Sequence, residues 1–169
     1  MHVGIAKIAS GVAFASGAVA AAFAVQGWSI ARGAATPGAS VRITTARSDS
    51  IAVASGGLAK DDLTPSSPGL RGSLELFNAT GGALSVRLRA DTPDADLDHV
   101  LFLRLTAGGV RLFSGPLAAL HEASRSVTMA SHARTPLSVR GWIPASLEEG
   151  YQARAETVSL SFLTKPAVG

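Results

Sequence analysis

The rhythm of hydrophobic and polar positions changes once along this chain. Behind a short start, Met1–Lys7, the stretch Ile8–Val25 carries no charge and is almost entirely Ala, Val, Gly, Phe and Ser. A basic start followed by an apolar run is the layout of an export signal, whose central part enters a membrane as a helix. Ala31–Ala39 is small and contains Gly and Pro, which reads as a linker. Beyond it the period falls to two, the signature of strands with one face buried. Val41 and Ile43 alternate with Arg42 and Thr44, and Ile51 and Val53 follow. Gly56–Gly72 holds Gly, Pro and Ser at close intervals and reads as a long turn-rich connection.

The same pattern predicts strands over Ser73–Asn78 and Leu84–Ala90, with Ala79-Thr80-Gly81-Gly82-Ala83 between them as a hairpin loop. After an acidic loop, Asp91–Asp98, come Val100–Thr106 and Val110–Phe113, joined by Ala107-Gly108-Gly109. Ser114–Ala123 is the one helical turn expected outside the leader, with Pro116 at a first helical position and Leu117 and Leu120 three apart. Ser126–Ala130 and Leu137–Ile143 resume the strand pattern, and Pro144–Gly150 is a turn with room for a short helical piece. Thr157–Leu163 alternates most cleanly, so Val158, Leu160 and Phe162 are expected to face a core. Eight or nine short strands separated by turn signals predict an all-β domain: an antiparallel β-sandwich, jelly-roll or immunoglobulin-like, with short helical turns.

This divides the chain into residues 1–35, a signal peptide or membrane anchor with its linker, and residues 36–169, the β-sandwich domain. Ile8–Val25 is at the lower edge of length for a spanning helix and rich in Ala. Ala22-Phe23-Ala24 and Gly33-Ala34-Ala35 offer small-residue cleavage sites. Cleavage is the preferred reading and an uncleaved anchor the alternative. Either way the domain is expected outside the cytoplasm, touching a membrane only through the leader. The chain has no Cys, so disulfides and thiolate metal sites are excluded and the fold depends on its apolar core.

Lys and Arg number 15 against 12 for Asp and Glu, a formal charge of +3. A nucleic-acid-binding chain clusters such charge in one run or on one face. Here the arginines are spread along the sequence, several alternating with apolar residues as in Val86-Arg87-Leu88-Arg89 and Leu103-Arg104-Leu105. That is the solvent face of a strand, so no nucleic-acid partner is expected. Attraction to an anionic wall or matrix polymer fits the charge.

Candidate chemistry is sparse. His121-Glu122 opens like a zincin helix, but Arg125 stands where the second His belongs. A zinc site would have to be assembled from His99, His121 and His132, and solvated surface His is the competing reading; His2 lies in the leader. Asp94, Asp96 and Asp98 alternate as at the start of a calcium loop, but the following Gly and the closing bidentate Glu are absent. They are weak calcium candidates beside the plainer reading of a polar loop. No G-x-S-x-G, P-loop or G-x-G-x-x-G occurs. Asn78-Ala79-Thr80 matches a glycosylation sequon but also begins a turn. Trp142 and Tyr151 suit either a binding surface or the packing of a sandwich. No catalytic residue, cofactor or resident metal is assigned.

Four stretches together resemble the TasA/camelysin-type family of exported matrix-fibre and cell-surface β-sandwich proteins. They are the apolar leader directly before the β region; Gly72-Ser73-Leu74-Glu75-Leu76-Phe77-Asn78-Ala79-Thr80-Gly81; Leu112-Phe113-Ser114-Gly115-Pro116-Leu117-Ala118-Ala119-Leu120; and Trp142-Ile143-Pro144-Ala145-Ser146 with Gly150-Tyr151-Gln152 and Val158-Ser159-Leu160-Ser161-Phe162. The family's aromatic segment after the export helix is missing, Gly150 stands for its usual Asn, and Ala153 stands where Gly is expected. The resemblance implies a jelly-roll-like sandwich and a structural role in matrix or surface layers, with fibres arising when one subunit's N-terminal strand completes the next subunit's sheet. Ser40–Thr45, anchored by Val41 and Ile43, would be that donor strand. Some members are described as metallopeptidases, but no ligand set for that activity is recognisable here. The leading expectation is an exported, non-catalytic structural or adhesive protein whose partners are itself or wall and matrix polymers. An anchored surface-binding module is the alternative, and a camelysin-like metallopeptidase a more distant one.

Overall fold

The computed structural model describes residues 37–54, 57–93 and 95–168; the apolar leader and its cleavage sites lie outside them. Ten strands form two five-stranded sheets. They are β1 (Ala39–Thr45), β2 (Ile51–Val53), β3 (Leu58–Leu63), β4 (Leu70–Asn78), β5 (Leu84–Asp91), β6 (Phe102–Ala107), β7 (Val110–Pro116), β8 (Val127–Met129), β9 (Arg134–Trp142) and β10 (Ala155–Pro166). The first sheet runs β3-β1-β10-β5-β8 and the second β2-β4-β9-β6-β7. Alternate residues of both, including Ile43, Leu88, Val158 and Leu160 from the first and Leu74, Leu76, Leu103, Leu105 and Val139 from the second, are buried in one apolar core. The all-β expectation therefore holds, in a sandwich-like arrangement.

The β6–β7 hairpin is as expected. Gly108 and Gly109 take φ of +54° and +84° at its tip, the double positive-φ turn that matches strand twist. The single helical element among the described residues is a 3-10 turn, Leu117–Glu122, burying Leu117 and Leu120; Pro116 is extended and ends β7 instead of taking the first helical position.

Other expectations need correction. Gly56–Gly72 is not wholly a connection, because β3 lies inside it. That strand is a sheet edge, carries Lys60, Asp61 and Asp62, and buries only Leu63, so it lacks the alternation that marks strands. Ala79–Ala83 does not close a hairpin, since β4 and β5 belong to different sheets and the loop crosses between them. The sheets are not wholly antiparallel: β1 runs parallel to β10, from Ser40 beside Ala155 to Thr45 beside Leu160. Within β10, Val158 and Leu160 are fully buried, whereas Phe162 is partly buried against the core's rim. Pro144–Gly150 contains no helix; Leu147 N–H turns back to Pro144 C=O at 3.0 Å.

Candidate functional site

Among the described residues, a cluster of chemistry-bearing side chains forms where the end of β5 meets the 3-10 turn. The short turn after Pro116 projects His121 back toward β5 while Leu117 and Leu120 hold the turn in the core. His121 Nδ1 lies 2.8 Å from the carbonyl oxygen of Ala90, and Nε2 lies 2.7 Å from Asp98 Oδ2. Both neighbours are acceptors, so the doubly protonated ring suits the site better than either neutral tautomer. The hydrogen bond to Asp98, then that to Ala90, raise the His121 pKa above its usual value, against a smaller lowering by burial; the charges of Asp98 and Asp91 add to the rise. Thr92 completes the group by donating its hydroxyl to Asp98 Oδ1 at 3.0 Å.

A shallow depression of about 320 Å³ opens beside it, lined by Asp91, Thr92, Pro93, His121, Thr157 and Ser159. When protonated, His121 has no lone pair to offer. Taking a proton from a nucleophile or ligating a metal through Nε2 requires its bond to Asp98 to be given up first. The cluster fastens β5, the loop at Asp98 and the 3-10 turn together.

The acidic loop does not converge. Asp94 lies outside the described residues. Asp96 is exposed, with Oδ1 3.5 Å from Arg154 Nη1, and Asp98 is committed to His121 and Thr92. His99 is exposed, and His132 is exposed and stacked on Phe77 at 6.3 Å between ring centres. Among the described residues no group of three or more His, Cys, Asp or Glu could hold a metal ion. No helix among them is long and apolar enough to cross a membrane.

Asn78 is fully buried, so the sequon is closed to a glycan. Its Nδ2 donates to the carbonyls of Gly82 at 2.9 Å, Met129 at 3.3 Å and Ala130 at 2.9 Å. Its Oδ1 accepts from Thr80 N–H at 2.9 Å and Thr80 Oγ1 at 2.7 Å. Turn chemistry is thus only half of its role; the other half is to tie the end of β4 to the end of β8 in the opposite sheet. Tyr151 is buried in the core, while Trp142 is half-buried on the outer side of β9.

Ser40–Thr45 lies entirely within β1, and Val41 and Ile43 point inward, exposed by 2% and 0%. The strand is interior to its sheet, flanked by β3 and β10. Compared with family models and with curated proteins, the chain matches none.

Sequence reasoning missed the Thr92–Asp98–His121 group, because its members come from three separate segments. The only sequence signal was a His in the last turn of an expected helical piece, within reach of an acidic loop.

Proposed function

We propose that this chain is an exported, non-catalytic structural or adhesive module of the cell surface or extracellular matrix, and that copies associate by exchanging β1. The observation that carries the reading is the position of β1. It is the first strand of the β region, it enters from a small-residue linker, and it fills a slot between β3 and β10. If it leaves, the slot presents two unpaired edges and two vacant apolar pockets. A neighbour's β1 entering in the same register restores the antiparallel ladder to β3, the parallel ladder to β10, and the burial of Val41 and Ile43. The export-signal layout of Ile8–Val25 supports the location. The resemblance to the TasA/camelysin-type family supports both a jelly-roll-like sandwich and the fibre-forming role. The saturated bonding of His121 favours a non-catalytic role over a peptidase one.

The test is to purify the extracellular form, sequence its N-terminus and image it for filaments. A start shortly after Ala24 or Ala35 together with filaments is the expected result; retention of Met1–Val25 would instead favour an anchored surface module. Because β1 is interior, Ile43→Pro harms the monomer as well as any exchange, so the decisive experiment is competition. Excess peptide covering Ala39–Thr45 should occupy open slots and shorten filaments. Filaments that survive deletion of residues 36–45 would end the strand-exchange reading.

A further inference from the structure

The arginines that look scattered in the sequence are assembled by register. Arg71 on β4 pairs directly with Arg140 on β9, and Arg140 pairs directly with Arg104 on β6. Directly opposed residues share a face, and adjacent strands stand about 4.8 Å apart, so three guanidinium-bearing side chains form one row across the outer face of the second sheet. Guanidinium stays charged at all physiological pH, and like charges directly opposed in a sheet destabilise it. None of the three takes part in a salt bridge among the described residues, whereas Arg89, Arg134 and Arg154 do. An uncompensated row of this kind is a local rule broken, as happens at functional sites.

The rows on either side have their own chemistry. On one side Trp142 pairs directly with Phe102, their ring centres 6.0 Å apart and tilted by 41°. On the other side Ser138 pairs with Ser73 and with Thr106, giving a line of hydroxyls. Arg104 is held toward the aromatic row, its Cζ 5.7 Å from the Trp142 ring centre, and its Nε is buried with no hydrogen-bond partner among the described residues. Arg104, Arg140 and Trp142 line a cleft of about 260 Å³.

We propose that this outer face binds an acidic polysaccharide, a chain carrying carboxylates on its sugar rings, laid along the Arg71–Arg140–Arg104 row. Guanidinium forks suit carboxylates, the half-buried aromatic row suits the C–H face of a sugar, and the hydroxyl row suits its hydroxyl groups. The two rings pack on one another and present a shelf rather than a slot, which favours a sugar over an inserted nucleobase. The inference goes beyond strand exchange and does not depend on it, since the row lies on the other sheet from β1.

The test uses the full chain, a polyuronate, an uncharged dextran and a single-stranded oligonucleotide, with binding measured by calorimetry at low and moderate salt. The wild type should bind the polyuronate, lose affinity as salt rises, and ignore the dextran. Arg140→Gln should weaken binding at least about tenfold, since a charge-assisted contact is lost. It should also flatten the salt dependence and leave thermal stability equal or higher, because the central like charge is gone. Arg104→Lys keeps the charge but loses the fork, so it should weaken binding less than Arg140→Gln does. Arg42→Gln, an equal change of net charge on the first sheet, should leave binding as in the wild type. Equal binding by Arg140→Gln and wild type, equal losses from Arg42→Gln and Arg140→Gln, or tighter binding of the oligonucleotide than of the polyuronate would each overturn the proposal.

Discussion

Asn78 and His121 both fasten separate parts of this fold, and they do so by opposite means. Asn78 is a neutral amide with no exposure, bonded almost wholly to backbone and joining the two sheets. His121 is a titratable base paired with an acid, its side chain about a third exposed at 36%, joining a turn and a loop to the end of β5. A buried amide can fill its donors and acceptor with peptide groups and carries no charge to desolvate. An imidazolium–carboxylate pair loses more on leaving water, so it persists near the surface, where solvent also screens it. The neutral fastening should therefore be the stronger one and indifferent to pH, and the ionic one weaker and conditional.

Removing the amide gives the largest effect. Asn78→Ala strands the buried carbonyl of Met129 and removes the partner of the part-buried Ala130 carbonyl and Thr80 N–H, which should destabilise the domain by about 3 kcal/mol. Urea unfolding should give the same loss at pH 5.5 and pH 8.5. A loss under about 1 kcal/mol would mean that water replaces the amide freely, and the contrast with His121 would vanish.

The second test concerns the backbone behind the histidine. The 3-10 turn ends at Ala123, with φ +93° and ψ +151°, a conformation almost confined to glycine. Ala123→Gly should stabilise the domain by about 1 kcal/mol through relief of that strain. A lower melting temperature for this variant would show that the turn holds His121 without strain.

The smallest effect is the pH dependence of the ionic fastening. The folded-state pKa of His121 is raised, so folding favours the protonated ring. Its stabilisation is fully present below the unfolded-state pKa, near 6.5, and is lost as pH rises through the folded value. With screening by solvent, the loss between pH 6 and pH 8.5 should be about 0.5 kcal/mol. The dependence should be absent in His121→Asn, and a stability curve that rises over this window in the wild type but not in the variant would contradict the assignment.

What the sequence disclosed follows from what is local. The Gly108-Gly109 turn, the helical turn after Pro116 and the alternation in β10 each depend on neighbours in the chain, and each was legible. β3 was not, because an edge strand that sheds apolar residues looks like a loop. The crossing after Asn78 was misread for a related reason: Thr80 and Gly82 give the turn chemistry of a hairpin, while the partners that send β5 to the other sheet, Met129 and Ala130, lie far along the chain. The arginine row was hidden most completely. Arg71, Arg104 and Arg140 are ordinary outward-facing residues in their own strands, and only the pairing register makes them neighbours.

The parallel pairing of β1 with β10 bears on how the domain carries mechanical load. The β region starts at one end of β1 and finishes at the opposite end of its neighbour β10. A pull on the two chain ends therefore slides these strands past each other along their length. The ladder from Ser40–Ala155 to Thr45–Leu160 is strained all at once instead of being peeled open bond by bond. A domain wired in this way resists stretching far better than its equilibrium stability suggests, and single-molecule extension should show one high-force rupture in which β1 shears from β10 before the second sheet opens.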